Sequence, residues 1–400
     1  MKILFVACDY LPGSTRIATK MRPELVHEFI TRGHEVIVVT PDPELRDRYV
    51  NTKLDGADIW KFKSGPIQDV SKIKRAINET LLSHNAWKAL KQMFRQNPQD
   101  LIIYNSPSIF WGTLVRRLKK LWKVPSYLIL RDIFPQWVVD NGILSKHSPI
   151  TYYFRFFEWL NYNAADRIAL QSVKGREWFY NNRVNNKPLD VVYNWAADNP
   201  EIATEKIWRK KLGLEEKVVY FYGGNIGHAQ DMMNVVRLAK NMIPNDNAHF
   251  LLIGKGDEVL LIKDAIQREK LTNLTYLEPV SQDVFRKMQA EFDIGLFSLH
   301  HDHTTHNFPG KLLGYMVQEM PILGSINPDN DLKSMVDEAE AGFVTINGDN
   351  DVFLANALKL LNDKELRLRM GKGAKRLLYQ VFSVKAAADT ILESFDKEVL

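Results

Sequence analysis

Cysteine is almost missing from this 400-residue chain: Cys8 stands alone. No disulfide can therefore close within the chain, and a reducing compartment is indicated. A lone cysteine inside an apolar strand reads as core filling. Long hydrophobic runs are also missing, and none reaches the roughly 18 apolar residues that a membrane-spanning helix needs. The run after Met1, from Ile3 to Cys8, is six residues long and Asp9 follows it, which reads as a first strand and not a signal peptide. There is no short-period repeat and no low-complexity tract. The dinucleotide fingerprint is incomplete wherever it begins. After Gly223 the positions that need glycine hold Asn225 and His228, and after Gly254-Lys255-Gly256 the third holds Val259, which disfavours a nicotinamide oxidoreductase. His300, His301, His303 and His306 cluster without the cysteines or spaced carboxylates of a metal site, so no metal is expected.

What is present belongs to a globular protein: 45% apolar and 25% charged residues, at a length that suggests two domains. Net charge is +5, unevenly placed. Residues 1–190 hold 29 Lys/Arg against 18 Asp/Glu, and the remainder holds 24 against 30. A basic half joined to an acidic half points to one domain facing an anionic surface or ligand, although scattered solvated charge would look the same.

Short β-branched runs alternate with helix-length segments. KILFVA (2–7), HEVIVVTP (34–41), LIIY (101–104), SYLILRD (126–132) and DRIALQS (166–172) form one series. VVYFYGG (218–224), HFLLIGKG (249–256), LTYLEP (274–279), DIGLFSL (293–299), PILGS (321–325) and AGFVTI (341–346) form a second. Strand and helix in succession predict parallel sheets covered on both faces. The expected architecture is therefore α/β: two Rossmann-like doubly wound domains, 1–190 and 191–380, with an irregular linker over 191–206 and a final amphipathic helix over 381–400. If the domains face one another, the carboxyl ends of both sheets border one cleft, where ligands of such folds bind.

Several motifs fall at those strand ends. YGGNIGHAQDMMNVV (222–236) follows a strand and opens a helix, so its glycines admit a phosphate to helix N–H groups; tight packing alone is the bland alternative. HNFPGKLLGYMVQEMP (306–321) starts a short helix with Lys311 in its first turn, although that end of a helix is already positive. A cation there makes sense if an anion lies between the two. In DYLPGSTRIATKM (9–21), Arg16 and Lys20 stand one turn apart and could grip a phosphorylated substrate. Asp132 ends a strand, where it can cap a helix, bind sugar or move a proton. FWGTLVRRLKKLWKV (110–124) mixes Trp111, Leu114, Leu118, Leu121 and Trp122 with Arg116, Arg117, Lys119, Lys120 and Lys123. Such a helix can lie on anionic lipid or simply roof the sheet, and the aromatic TYYFRFFEWLNY (151–162) favours lipid. No nucleic-acid-binding motif is present.

PGSTR with RGHEV, YNWAAD, YGGNIGHAQ, LLIGKGDE and FPGKLLGYM…MPILGS, in this order across nearly the whole chain, resemble the retaining glycosyltransferases of family 4. Within that family the resemblance is greatest to bacterial O-antigen transferases that attach N-acetyl-L-fucosamine. It implies the GT-B fold, with an acceptor-binding first domain, a nucleotide-sugar-binding second domain and a last helix packing back on the first. It also implies a UDP-sugar donor, a polyprenyl-diphosphate-linked sugar acceptor, no cofactor and no metal. With such an acceptor in an anionic membrane, the basic first half and the helix 110–124 set the expected place: cytoplasmic, peripheral on the inner face of the cytoplasmic membrane, with Arg116, Arg117, Lys119 and Lys120 against the anionic surface. Carried over by position, Gly224, Asn225, Gly227, Lys255, Glu278, Asn307, Lys311 and Leu312 would bind the donor. Gly13, Ser14, Arg16 and Lys20 would bind the acceptor, and Asp132 and His306 would be catalytic. The pattern departs from the family where two glutamates eight positions apart are usual, because His306 and Gly314 stand there. Glu278 is the candidate for the ribose contact that Gly314 cannot make. Asn225 replaces a usual cation and leaves more work to Lys311. A UDP-sugar 2-epimerase of similar fold, or a catalytically silent membrane-associated assembly component, are the competing readings.

Overall fold

The computed structural model describes residues 1–10, 17–140, 142–183, 186–302, 308–328 and 330–396. The chain divides into two units: Met1–Tyr193 with Ala387–Leu400, and Asn194–Ala386.

The strands of the first unit are β1 (Lys2–Val6), β2 (Glu35–Asp42), β3 (Tyr49–Leu54), β4 (Ala57–Lys63), β5 (Leu101–Asn105), β6 (Ser126–Ile129), β7 (Arg167–Leu170) and β8 (Leu189–Val191). They form one sheet in the order β3-β4-β2-β1-β5-β6-β7-β8, parallel throughout except for the antiparallel β3–β4 pair. Every residue of β5 and β6 is buried, as a parallel strand covered on both faces requires. β3, β4 and β8 extend the sheet beyond the expected strands. The β3–β4 hairpin turns at Asp55-Gly56, both at positive φ (49° and 86°), the backbone that a two-residue hairpin favours and that Asp-Gly supplies.

The second unit holds β9 (Val218–Asn225), β10 (Ala248–Lys255), β11 (Leu274–Leu277), β12 (Ile294–Ser298), β13 (Ile322–Ile326) and β14 (Gly342–Ile346). Their order is β11-β10-β9-β12-β13-β14, and all pairs are parallel. From β9 the chain winds outward through β10 to β11, then returns to β12 on the other side. That reversal opens a crevice at the carboxyl ends of β9 and β12, and the first unit has its equivalent between β1 and β5.

The helix Val384–Asp396 begins in the second unit and continues into the first. There Asp389 pairs with Arg32 at 2.7 Å, Ser394 donates to Asp190 at 3.1 Å, and Phe395 meets the buried Tyr127 ring edge-on. The helix Gly112–Trp122 roofs the first sheet. Trp111, Leu114, Val115 and Leu118 lie in the same core cluster as β1 and β5 residues, and the Trp122 indole donates to the Phe94 carbonyl at 2.9 Å.

Candidate functional site

In the second unit the glycine turn is built by steric necessity. A Cβ on Gly223 would fall 2.2 Å from the Phe285 ring, and one on Gly254 would fall 1.8 Å from the Gly224 carbonyl oxygen. Gly224 adopts φ +133°, in the region that side chains avoid. This brings the ends of β9 and β10 close together, with Asn225 in register with Lys255.

Lys311 reaches this turn from the start of the helix Lys311–Val317. Its Nζ lies 3.4 Å from the centre of the Tyr222 ring, and its Cε would sit 3.5 Å from a Cβ at Gly224. The helix is anchored by the buried Tyr315 hydroxyl, which lies 3.0 Å from the carbonyls of both Phe221 in β9 and Leu296 in β12. By area Lys311 is only half-buried, yet protein atoms crowd its Nζ closely. That desolvation pulls its pKa well below the usual lysine value. The crowding of the Nζ governs its charge, because the charge resides there. The Tyr222 face offers partial compensation through its quadrupole.

The other donor candidates differ in how far they join this group. Asn225 donates to Gln230 at 2.7 Å. Gly227 packs so closely that a Cβ would meet Asp257 at 2.5 Å. Lys255 is exposed beside the turn. Leu312 is buried, and its N–H donates to the Pro309 carbonyl at 3.0 Å, so the helix start offers fewer open donors than its sequence suggests. Glu278 stands just past the edge strand β11, exposed, with Lys263 at 2.8 Å and the Tyr276 hydroxyl at 3.0 Å. Those partners hold its pKa below the ordinary carboxyl value, and they tie it to the sheet edge and not to Lys311. At Gly314, where the family's second glutamate is usual, a Cβ would lie 2.9 Å from the Gln289 amide. The buried Gln289 occupies that space. His306 and Asn307 lie outside the described residues.

Two groups escaped the sequence reading: Tyr222, whose ring carries Lys311, and Glu258, whose carboxylate lies 3.6 Å from His228 Nδ1. The His228 ring also packs on His300 at 4.9 Å. Among the described residues no group of three or more His, Cys, Asp or Glu could hold a metal ion.

In the first unit a cavity of about 380 Å³ opens at the carboxyl ends of β1, β5 and β6, lined by Cys8, Asp9, Arg22, Ser108, Arg131 and Asp132, among others. The Ser106 hydroxyl accepts from the N–H groups of Arg131 (2.7 Å) and Asp132 (3.2 Å) and fixes that turn. Arg22 donates to the Asp9 carbonyl at 2.8 Å. Burial and the charge of Arg22 bring the Arg131 pKa down to about 10. Desolvation raises that of Asp132 against the pull of Arg131, and burial pushes the Cys8 thiol up to about 12, so Cys8 is no nucleophile at neutral pH. A carboxyl of raised pKa beside two enclosed guanidinium groups can exchange a proton with a ligand while the cations hold an anion. Arg22 and Arg131 were not singled out from sequence, because only the fold brings them together. Gly13, Ser14 and Arg16 lie outside the described residues, as does the side chain of Lys20.

The helix Gly112–Trp122 departs from the lipid-lying expectation. Trp111, Leu114 and Leu118, most of its apolar face, are inside the core, so a lipid surface would meet mainly its charges, with Leu121 and part of Trp122 the apolar exceptions. Lys119 is engaged with Asp166 at 2.6 Å and the Ala164 carbonyl at 3.0 Å, and Arg117 lies over the Trp87 ring. Arg116 and Lys120 are exposed. Among the described residues no helix is long and apolar enough to cross a membrane.

Residues 24–197 match the family model described as Glycosyltransferase Family 4, and residues 204–377 the one described as Glycosyl transferases group 1. The chain is 26% identical over 224 residues to the probable glycosyltransferase WbjE of Pseudomonas aeruginosa, a match that spans 54% of either chain. It is 23% identical over 299 residues to the putative colanic acid biosynthesis glycosyl transferase WcaI of Escherichia coli, covering 71% of this chain and 73% of that one. Among solved structures it resembles Anabaena Alr3699/HepE in complex with UDP and glucose, at a TM-score of 0.65 and 15% identity, over 99% of this chain and 100% of that one. One glycosyltransferase family model therefore covers most of each unit, family 4 in the first and group 1 in the second, and the fold along the chain is GT-B.

Proposed function

We propose that this protein is a retaining, metal-independent glycosyltransferase of the hexosyl type. It moves a sugar, with N-acetyl-L-fucosamine the first candidate, from UDP to a polyprenyl-diphosphate-linked acceptor in O-antigen or related surface polysaccharide synthesis. It works from the inner face of the cytoplasmic membrane. The observation that carries the reading is Lys311, held against Gly224 and over Tyr222 at the crevice between β9 and β12. A lysine drawn into a glycine turn with no counter-ion among the described residues is arranged for a ligand that brings negative charge. A nucleoside diphosphate does so, and an ammonium placed there would stabilise the charge that develops on the β-phosphate as the glycosidic bond breaks. HepE, which shares the fold, binds UDP and glucose, and WcaI is named for colanic acid biosynthesis. In the first unit, Arg22 and Arg131 would hold an acceptor phosphate and Asp132 would manage the acceptor hydroxyl's proton.

The test is a panel of UDP- and GDP-sugars screened by thermal stabilisation, since a ligand at 100 times its dissociation constant adds about 2.7 kcal/mol. Radiolabelled transfer from the stabilising donor to a lipid-diphosphate sugar follows. Stabilisation by GDP-sugars alone overturns the donor assignment. Interconversion of a UDP-sugar without any acceptor indicates an epimerase instead.

A further inference from the structure

The helix Pro149–Ala164, next to the roofing helix, has two unlike faces. Thr151, Glu158, Leu160, Asn161 and Tyr162 are buried, whereas Ile150, Tyr152, Tyr153, Phe156 and Trp159 are 41–60% exposed. Positions 152, 156 and 159 follow i, i+4, i+7, so the exposed rings form one stripe. The helix Lys72–Thr80 lies alongside and buries none of its own residues; Ile73 and Ile77 are 76% and 56% exposed. Between the two helices runs an apolar groove of about 540 Å³, lined by Ile73, Ile77, Leu81, Ile150, Tyr153 and Phe154, among others. Soluble surfaces rarely leave so continuous an apolar area without a partner.

Unpaired lysines stand on and beside these two helices. Lys72, Lys74 and Lys146 are exposed and make no ion pair among the described residues. Nearby carboxylates are already engaged: Glu79 with Arg75 at 2.8 Å, and the buried Glu158 with Arg155 at 2.7 Å. Tyrosine, tryptophan and aliphatic side chains flanked in the chain by free lysines match the boundary of an anionic bilayer, where amphipathic rings sit at headgroup depth and lysines meet lipid phosphates.

We propose that the protein docks on anionic membrane through this face, formed by the helices 72–80 and 149–164, and not through the basic face of the helix 112–122. The latter keeps Leu114, Val115 and Leu118 in the core and offers little to insert beyond Leu121. The proposal rests on the membrane part of the proposed function and names its surface.

The experiment is flotation of the full chain with vesicles of phosphatidylcholine alone and with about a third phosphatidylglycerol. Three variants are compared, with UDP affinity and circular dichroism as controls for the fold. Ile73→Glu/Phe156→Glu/Trp159→Glu is expected to lose vesicle binding at least tenfold. Lys72→Glu/Lys74→Glu/Lys146→Glu is expected to lose the preference for phosphatidylglycerol and the response to salt. Arg116→Glu/Arg117→Glu/Lys120→Glu is expected to bind within about twofold of the parent. Three results overturn the proposal: an aromatic variant that floats like the parent, loss confined to the 116–120 variant, or a dimer in sedimentation that the aromatic substitutions abolish, which would make the face a self-interface. Transfer to a soluble acceptor analogue is measured separately, so failure of the enzymatic reading leaves the flotation result interpretable.

Discussion

Replacing Lys311 by methionine should stabilise the empty protein and cripple donor binding at the same time. Methionine keeps the length and the contact with the Tyr222 ring but removes the charge. In the native state the crowded Nζ holds its pKa below the lysine value of 10.5, so between those two values the unfolded chain binds more protons than the folded one. Stability attributable to this residue therefore rises with pH across that window, and the penalty is fully present below the folded pKa. Removing the group should gain about 1 kcal/mol at pH 7, the scale of other changes that relieve functional strain. For a unit of this size that means a Tm about 2–4 °C higher. The same change deletes a charge-assisted contact to the diphosphate, worth about 1.5–3 kcal/mol, or roughly 10- to 150-fold in UDP affinity. Because a dianion favours the charged amine, UDP binding to the parent should take up a proton. Its calorimetric enthalpy should then depend on the ionisation heat of the buffer, and its affinity should fall as pH rises above the free protein's Lys311 pKa. Both dependences should vanish in the variant. A variant that binds UDP as tightly as the parent would refute the assignment. One with a lower Tm would refute the idea that Lys311 is held in a cost-bearing position.

Other outcomes follow from the same geometry. Gly254→Ala should lower stability by about 1–3 kcal/mol, the usual cost of overpacking, because its Cβ would stand 1.8 Å from the Gly224 carbonyl; chemical denaturation measures it. Asp132→Asn should reduce turnover by about 10²- to 10⁴-fold and leave UDP affinity unchanged in calorimetry. The parent's activity should fall on acidification through a pKa higher than an ordinary aspartate's, since Asp132 is raised by desolvation and acts as a base only when ionised. Activity should survive EDTA; loss on chelation that zinc or manganese restores would overturn the metal-free mechanism.

The sheets were largely legible because parallel strands buried on both faces leave uniformly apolar runs, as LIIY and DIGLFSL do. The exposed β3 carries no such run, and its mark is the Asp55-Gly56 pair, a signal held in two residues. Lys311 stood out for being at the wrong end of a helix, whereas its platform, Tyr222, looks like any strand aromatic. Arg22 and Arg131 come from elements more than a hundred residues apart, and no local pattern announces that they share a cavity. The helix 112–122 misleads in the opposite direction. Trp111 and Leu118 beside arginines read equally as a lipid anchor or as a roof, and only packing against β1 and β5 separates the two.

The last helix gives the chain an order of assembly. The first unit contains Tyr127, fully buried with Phe395 against its ring, and Asp190, which receives Ser394. These partners are translated about two hundred residues later, after the whole second unit. On the ribosome the first unit therefore lacks this cover over Tyr127 and Asp190 until the second unit has been made. A chaperone that holds the first unit in this interval, or a stall near residue 386, would act on a half-finished domain, and the yield of native protein should follow the arrival of residues 387–396.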